Sequence, residues 1–286
     1  MIKTGIISSA YFEIDDFEAG MSLMKSHGYD CIDYQELGNF AHSPLYKMTE
    51  EELKSYLCTL RDCAKKNGLE FHQLHGIWPH VDDTTEEGRQ QSIEYFKKNI
   101  LCASYLDCPR VVVHPCMPGL FLGKKLDDEI QLNVRLLKQL APYAREHSVT
   151  ICLENMPFPH GSHLSYIENV KKVLDEVDDE YVKACLDTGH FEAVGTDIYS
   201  AIKLLGSHLS TLHVHDSAFG QDRHTIPFQA LIDWDGFIRG LKEIGYNGVM
   251  SLETRIGAKT PQPMKEELER ALAELARYFA DTINAK

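Results

Sequence analysis

Short apolar runs alternate with longer amphipathic segments along the whole chain. The short runs are rich in strand-forming residues, whereas the longer segments repeat their apolar residues at helical spacing. This alternation predicts strands at residues 4–9, 31–37, 70–75, 110–114, 150–155, 182–187, 209–215 and 248–253. It predicts helices at residues 15–27, 49–67, 84–106, 127–147, 198–205, 234–244 and 264–282, with a further helix that begins near residue 165.

Three of the predicted helices begin at a threonine or serine that is followed three residues later by a glutamate. This is the form of a capping box, in which two side chains and two backbone amides bond reciprocally. The three sequences are Thr49-Glu50-Glu51-Glu52, Thr84-Thr85-Glu86-Glu87 and Ser165-Tyr166-Ile167-Glu168. The helix that starts at Thr49 is expected to stop at Gly68, because glycine is common just past a helix end.

The regular order of strands and helices predicts the fold class. Eight β–α units follow one another without a linker or a change in composition, so we expect one α/β domain over residues 1–286 with a parallel sheet. The continuous apolar run Val111-Val112-Val113 is typical of a sheet that is covered on both faces. A doubly wound open sheet is the alternative, but eight regular units favour closure into a single (βα)8 TIM barrel.

Composition and charge narrow the classes of partner. The chain has 286 residues, of which 43% are hydrophobic and 25% charged, as in an ordinary globular protein. Its formal net charge is −14. A protein that binds nucleic acid needs a basic surface, because phosphate contacts supply most of the affinity. The acidic balance therefore argues against a nucleic-acid partner, although a local basic cleft can exist within an acidic protein.

Several features predict a cytoplasmic protein with no membrane partner. No apolar run approaches the ~20 residues that a membrane-spanning helix needs, and residues 1–7 are too short and too polar for a secretory signal. The eight cysteines form no Cys-x-x-Cys pair, and several lie in apolar stretches such as Ala184-Cys185-Leu186. We therefore expect buried, reduced thiols, which are typical of a reducing compartment.

Histidines and carboxylates fall at the C-terminal ends of six successive predicted strands. In a (βα)8 barrel these ends meet at one rim, where active sites are built. Each side chain alone could be a hydrogen-bonded structural residue, but so many in one space are costly to bury unless they are paired or bind a metal. We therefore predict a divalent metal site, and nitrogen and oxygen ligands suit Mn²⁺, Zn²⁺, Co²⁺ or Mg²⁺. The residues are His75, His114, Glu154, Asp187 with His190, His213 with His215 and Asp216, and Glu253.

Four strings around these residues resemble the xylose-isomerase-like barrel superfamily. They are Cys152-Leu153-Glu154-Asn155, Leu186-Asp187-Thr188-Gly189-His190, His213-Val214-His215-Asp216 and Leu252-Glu253-Thr254. The resemblance covers nearly the whole chain, and this ordered set of motifs is specific for the superfamily but not for one activity within it. The superfamily includes sugar and sugar-phosphate isomerases and epimerases, and also the endonuclease IV type of apurinic endonuclease.

The resemblance implies two alternative sets of metal ligands. The epimerase branch uses a Glu, an Asp, a His and a Glu from strands five to eight, which map onto Glu154, Asp187, His213 and Glu253. The endonuclease branch uses nine ligands for a three-metal cluster, and Asp222-Arg223-His224 looks like its Asp-x-His element. The additional candidates for that cluster are His75, His114, His190, Asp222 and His224.

The sequence departs from each branch at one place. Isomerase-branch members often carry an Arg and a Pro-Gly-x-Gly loop after strand seven, whereas residues 226–234 read Ile-Pro-Phe-Gln-Ala-Leu-Ile-Asp-Trp here. The usual substrate or phosphate contacts of that loop are therefore in question. The loop after strand two, at residues 39–45, lacks the Arg and Lys residues that a DNA clamp would need.

From the resemblance we expect a divalent-metal-dependent isomerase or epimerase of a ketose sugar or sugar phosphate. The metal would stabilise an enediolate, while Glu154 and Glu253 transfer the proton from opposite sides of the substrate. One alternative is an endonuclease IV-like, multi-metal zinc phosphoester hydrolase, and another is a non-catalytic sugar-binding barrel. The residues expected to contact the substrate are His190, Arg223, Trp78 and Phe158.

The rest of the chain gives weaker indications. We expect His215 behind the site or in the core rather than among the ligands. The last helix carries an apolar stripe that could serve the barrel or a partner in a homo-oligomer. The other histidines show no partner pattern and are expected mostly at the surface or at caps: His27, His72, His80, His147, His160, His163 and His208.

Overall fold

The protein is described by a computed structural model that covers residues 1–12, 16–39, 41–117, 126–157, 162–192, 197–217, 222–257 and 259–285. Its strands are β1 (Lys3–Ile7), β2 (Cys31–Tyr34), β3 (Glu70–His75), β4 (Arg110–Val113), β5 (Thr150–Glu154), β6 (Val182–Asp187), β7 (Leu209–His213) and β8 (Val249–Leu252). The helices are α1 (Phe17–Ser26), α2 (Glu50–Lys66), α3 (Glu86–Tyr105), α4 (Leu126–Glu146), α5 (Ile167–Val177), α6 (Thr188–Glu192), α7 (Ile198–Leu205), α8 (Trp234–Glu243) and α9 (Gln262–Asn284).

All eight strands belong to one sheet, which closes on itself. The strand order is β7-β6-β5-β4-β3-β2-β1-β8, and Val214 and Leu252 form an isolated parallel bridge between the two end strands. There the N–H of Val214 donates to the carbonyl of Ser251 (2.9 Å), and the N–H of Glu253 donates to the carbonyl of Val214 (3.0 Å). The sheet is thus a nearly closed barrel, and the prediction of a single (βα)8 TIM barrel is confirmed.

The predicted strands run too far at several carboxyl ends. β1 ends at Ile7, β2 at Tyr34 and β7 at His213, whereas the pattern placed their ends at residues 9, 37 and 215. The apolar pattern misses these ends because residues at the rim stay buried after they leave the sheet, as Ser8 and His215 do. The short helix α6, which follows β6 directly, was not predicted.

Of the three predicted capping boxes, the structure contains one. Glu52 N–H donates to Oγ1 of Thr49 (3.3 Å), and Thr49 N–H donates to Oε2 of Glu52 (2.8 Å). Helix α3 is capped one residue later than predicted, because Thr85 accepts from the N–H of Gly88 at 3.1 Å. Helix α5 has Tyr166 at its N-cap and no side-chain cap, so the prediction of a box there was wrong.

The apolar core lies mainly between the barrel and its helices, but the interior of the barrel is partly polar. Asp33 and Gln73 are fully buried there, and Gln73 Nε2 donates to Oδ2 of Asp33 at 2.7 Å. His72, on β3, lies 3.1 Å from the hydroxyl of Ser251 through its Nε2 atom. His72 and His80 are both buried, so the expectation of a surface position was wrong for these two histidines.

The cysteines are all free, as expected. Six of the eight are buried, and Cys58 and Cys63 on α2 are partly exposed. Among the described residues, none of the helices combines the length and the apolar character that crossing a bilayer requires.

Candidate metal centre

The predicted site residues meet at the carboxyl-terminal rim of the barrel. Glu154, Asp187 and His213 end β5, β6 and β7, and Glu253 follows β8 directly. The parallel register of neighbouring strands brings these ends to one level, since Asp187 pairs with His213 across β6 and β7. The four side chains are buried, with at most 6% of each residue exposed. Carboxylates in such a place require compensating positive charge.

Three carboxylates surround one ring nitrogen of His213. Its Nδ1 lies 2.9 Å from Oε1 of Glu154, 3.1 Å from Oε2 of Glu253 and 4.0 Å from Oδ2 of Asp187. These four residues are the set that the sequence assigned to a single metal ion. A nitrogen can donate one proton at most, so hydrogen bonding cannot satisfy all three carboxylates. The donor set of one nitrogen and several oxygens fits a divalent cation.

A second group adjoins the first through Glu154. The Oε2 atom of this residue is 3.1 Å from Nε2 of His114 and 3.9 Å from Nε2 of His75. It is buried and has no hydrogen-bond partner among the described residues. Each of the three residues therefore directs a potential ligand atom into one small space, as a metal site requires.

A third group lies on the other side of Asp187. The Asp222 carboxylate is 3.3 Å from Nε2 of His190 and 3.3 Å from Nε2 of His224. His215 lies behind it, with Nε2 3.0 Å from Oδ1 of Asp187 and its ring stacked on His224. The structure thus brings together all nine residues that the resemblance implied, and it adds His215 to them.

Three of the histidines have a tautomer that the backbone fixes. His75, His190 and His224 each place Nδ1 2.9 Å from a backbone carbonyl, that of Gly76, Asn155 and Glu253 respectively. A carbonyl only accepts, so Nδ1 carries the proton and Nε2 faces a carboxylate. In a neutral ring the lone pair of Nε2 would point at that carboxylate, and the two would repel each other. A proton or a metal ion must therefore lie between them. Backbone-held histidines with a free inward nitrogen are characteristic of metal ligands.

The electrostatics of the site favour ionised carboxylates. Burial alone would raise the pKa of Glu154, but the rings of His213 and His114 hold this pKa well below its ordinary value. Burial would lower the pKa of His190, yet Asp187 and Asp222 raise it to about 10. These buried carboxylates are therefore ionised at neutral pH and need a positive charge close to them, so they can bind a metal ion.

The pKa of His114 shifts in the opposite direction to that of His190. Burial lowers its pKa to about 4, in spite of the opposing charge of Glu154. The ring is therefore neutral at pH 7 and can offer a nitrogen lone pair. Trp78 covers it, with the two ring centroids 4.7 Å apart.

The site opens into a cavity of about 390 Å³. This volume lies in the range of pockets that hold small molecules. Of the residues expected to contact the substrate, Trp78 and His190 line the cavity, whereas Arg223 is exposed and lies outside its lining. Phe158, the remaining predicted contact, lies outside the described residues. Lining residues that the sequence did not single out include Gln35, Asn39, Met156, Pro157 and Arg255.

Gln35 connects the rim of β2 to the candidate base Glu253. Its Nε2 donates to Oε1 of Glu253 at 2.9 Å, and its Oε1 accepts from Nη2 of Arg255 at 3.1 Å. Because arginine only donates, this contact fixes which end of the amide faces Glu253. Arg255 thus reaches Glu253 through Gln35. The position of Gln35 near the predicted end of strand two was the one signal in the sequence that could have identified it.

Comparison with known proteins gives the family. The inosose isomerase of Bacillus velezensis is 26% identical over 287 residues, covering 93% of this chain and 95% of that protein. The probable endonuclease 4 of Metamycoplasma arthritidis is 24% identical over 288 residues, covering 96% and 100%. A crystal structure of D-psicose 3-epimerase in the presence of D-fructose has a TM-score of 0.79 at 18% identity, covering 97% of this chain and 99% of that one, which bears on the fold alone. The family model described as xylose isomerase-like TIM barrel matches residues 21–277, and the chain therefore belongs to this family.

Proposed function

We propose that the protein is a divalent-metal-dependent isomerase or epimerase of a ketose sugar or sugar phosphate. The observation that carries this proposal is the placement of two carboxylates from β5 and from the end of β8, which are three strands apart in the barrel. Glu154 on β5 and Glu253 after β8 lie 2.9 and 3.1 Å from the same atom, Nδ1 of His213. Both residues also line the cavity, so a small substrate there would lie between them. The name of the relative from Bacillus velezensis, an inosose isomerase, supports this reaction class.

The residues that would hold the metal are Glu154, Asp187, His213 and Glu253. All four offer nitrogen or oxygen atoms, which suits Mn²⁺, Co²⁺, Zn²⁺ or Mg²⁺. A divalent ion bound there would supply Lewis-acid polarisation of a substrate carbonyl, which acidifies the adjacent C–H bond.

Proton transfer would be the task of the two glutamates. One carboxylate oxygen takes the proton from the acidified carbon, and the other glutamate returns a proton to the opposite face or to the neighbouring carbon. The first outcome is epimerisation and the second is isomerisation. The low pKa of Glu154 keeps it ionised as a base, although burial opposes this. Gln35 holds Oε1 of Glu253, so that its Oε2 atom faces the site.

Other residues of the cavity would bind and orient the sugar. Trp78 offers an apolar wall, and His190 offers a ring nitrogen for a substrate oxygen. Arg255 is better placed than Arg223 to contact a distal hydroxyl or phosphate, because it lines the cavity. The buried free cysteines support a reducing location such as the cytoplasm.

A second candidate is a multi-metal phosphoester hydrolase that resembles endonuclease IV. The observation that favours it is the third group, Asp222 between His190 and His224, which a one-metal isomerase does not need. Two or three ions would there stabilise the attacking and leaving oxygens of a phosphate ester. The net charge of −14 argues against a nucleic acid as its substrate.

The first experiment is elemental analysis of protein purified without added metal or chelator, followed by solvent-deuterium incorporation into a panel of ketoses and ketose phosphates. About one equivalent of metal, together with exchange of one carbon-bound proton, is the result expected of an isomerase or epimerase. Two or three equivalents of zinc with phosphatase activity would instead support the hydrolase. Tight sugar binding without exchange would identify a sugar-binding barrel.

Two variants test the roles of the glutamates. Glu154→Gln and Glu253→Gln should each reduce exchange by roughly 10²–10⁴-fold, the usual contribution of a general base. Glu70→Gln is the matched control, because Glu70 lies at the opposite end of the barrel and pairs with Lys3. Full exchange activity in either site variant would refute the proposed mechanism.

A further inference from the structure

Below the metal centre, a buried carboxylate contacts the far side of His213. Asp33 on β2 is fully buried inside the barrel, and its Oδ2 atom lies 3.2 Å from Nε2 of His213. Among the described residues, no Lys or Arg lies within ion-pair distance of Asp33. A buried carboxylate without a basic partner is costly unless a neighbour supplies a proton. The imidazole of His213 is the group that can supply one.

The two nitrogens of His213 therefore have different tasks. Nδ1 faces Glu154 and Glu253, whereas Nε2 is buried and has no hydrogen-bond partner in the described part of the chain, with Oδ2 of Asp33 within ion-pair distance at 3.2 Å. A proton on Nε2 directed at Asp33 leaves the lone pair of Nδ1 for the site. His213 is thus the reverse of His75, His190 and His224, which hold Nδ1–H against the backbone and turn Nε2 inward.

Gln73 fixes the orientation of Asp33. The Asp33 carboxylate only accepts, so the Gln73 amide presents Nε2 to its Oδ2 atom, and Oε1 of Gln73 accepts from the hydroxyl of Thr211. Thr211 lies on β7, two residues before His213, and Gln73 lies on β3. Three strands therefore cooperate to hold one carboxylate oxygen under the ring.

We propose that Asp33 is a positioning residue that fixes the tautomer of His213, so that Nδ1 is available as a metal ligand. This inference rests on the metal site of the proposed function. Asp33 does not line the cavity and would touch neither substrate nor metal. Carboxylates that accept from the outer N–H of a ligand histidine typically change metal affinity by 10–100-fold when they are removed.

Asp33→Asn tests this role with little change in shape. We expect its affinity for Zn²⁺ and Mn²⁺, measured by competition with a fluorescent chelator, to fall by roughly 10–100-fold. Ser251→Ala is the matched control: it removes another buried polar contact inside the barrel, the one with His72, and should bind both ions as the wild type does. Wild-type metal affinity in Asp33→Asn, with only a loss of stability, would overturn the proposal.

Proton NMR of protein labelled with ¹⁵N-histidine tests the contact without any metal. The wild type should show a downfield Nε2–H resonance of His213, protected from solvent, and this resonance should shift upfield in Asp33→Asn. An unprotonated Nε2 in the wild type would overturn the proposal. A wild type that binds no divalent ion but keeps this resonance would refute the metal site and leave the contact standing. If Asp33→Asn does not fold, Gln73→Met, which keeps Asp33 but frees it to turn, should give a smaller loss of affinity in the same direction.

Discussion

Nε2 of His190 lies 3.3 Å from Oδ2 of Asp222, although the two residues come from the loops that follow different strands. His190 belongs to α6 after β6, and Asp222 lies beyond β7. The same carboxylate also faces His224. This contact joins two loops over the metal centre, and it lies outside the four residues that suffice for one ion. The proposed isomerase and the alternative hydrolase therefore differ in what they require of Asp222.

Asp222→Asn should separate these two functions. For the isomerase we expect the metal content per chain to stay unchanged, with a reduction in turnover of about 10-fold from the loss of an orienting contact. Elemental analysis and the deuterium-exchange assay provide the two measurements. Asp62→Asn, at an exposed surface pair with Arg61, is the control. Loss of bound zinc together with loss of phosphoester hydrolysis would favour the hydrolase instead.

Gln35→Leu should impair catalysis more than binding. The variant removes the donor to Oε1 of Glu253 and leaves that carboxylate free to turn, so kcat should fall by about 10-fold while KM changes little. Steady-state kinetics on the ketose identified in the exchange screen would measure this. Ser9→Ala is a useful control, because the Ser9 hydroxyl contacts the other end of the Gln35 amide, Oε1, at 3.3 Å. Unchanged kcat in Gln35→Leu would mean that Glu253 is oriented by other contacts.

His72 should make the stability of the metal-free protein depend on pH. Burial lowers its pKa to about 3 in the folded state; the charge of Asp33 opposes this shift and that of Arg110 adds to it. In the unfolded chain the His72 ring takes up a proton with a pKa near 6.5, whereas in the folded protein the ring stays neutral down to about pH 3. The stability that is present above pH 6.5 is therefore lost as the pH falls toward 3. The slope for one proton is ~1.4 kcal/mol per pH unit.

His72→Gln checks that assignment. Urea unfolding at pH 7 and pH 5, with chelator present, should show a smaller pH dependence in the variant than in the wild type. The difference between the two proteins isolates His72 from the carboxylates that titrate in the same range. Equal pH dependence in both proteins would show that His72 is not responsible.

Arg277 holds the last helix against the first strand. Its Nη2 donates to Oδ2 of Asp30 (2.8 Å), to Oγ1 of Thr4 (3.0 Å) and to the carbonyl of Gly28 (2.9 Å). Arg277→Ala leaves the partly buried Asp30 without this partner and should cost about 1–3 kcal/mol of unfolding free energy. Arg270→Ala on the same helix removes an exposed pair with Glu267 and should cost at most ~0.5 kcal/mol. Equal losses in the two variants would contradict this assignment.

The sequence predicted most of the barrel, and most of the side chains that meet at its rim, because both depend on local patterns. Periodicity identified all eight strands, and the rule that strand ends meet at one rim brought Glu154 and Glu253 together. Gln35 and Asp33 were not identified, because their roles depend on which side chain of a distant strand lies opposite. His72 was misjudged for the same reason, since its partner Ser251 is 179 residues away.

The contact between β7 and β8 connects the candidate metal site with the closure of the barrel. A single bridge, Val214 to Leu252, closes the barrel there, and His213 and Glu253 are the neighbours of that bridge on the two sides. An ion held by both residues would link the ends of β7 and β8 across this single bridge. Binding of the ion and closure of the barrel would then be thermodynamically linked. Hydrogen exchange in the ion-free protein should therefore begin with the amides of Val214 and Glu253.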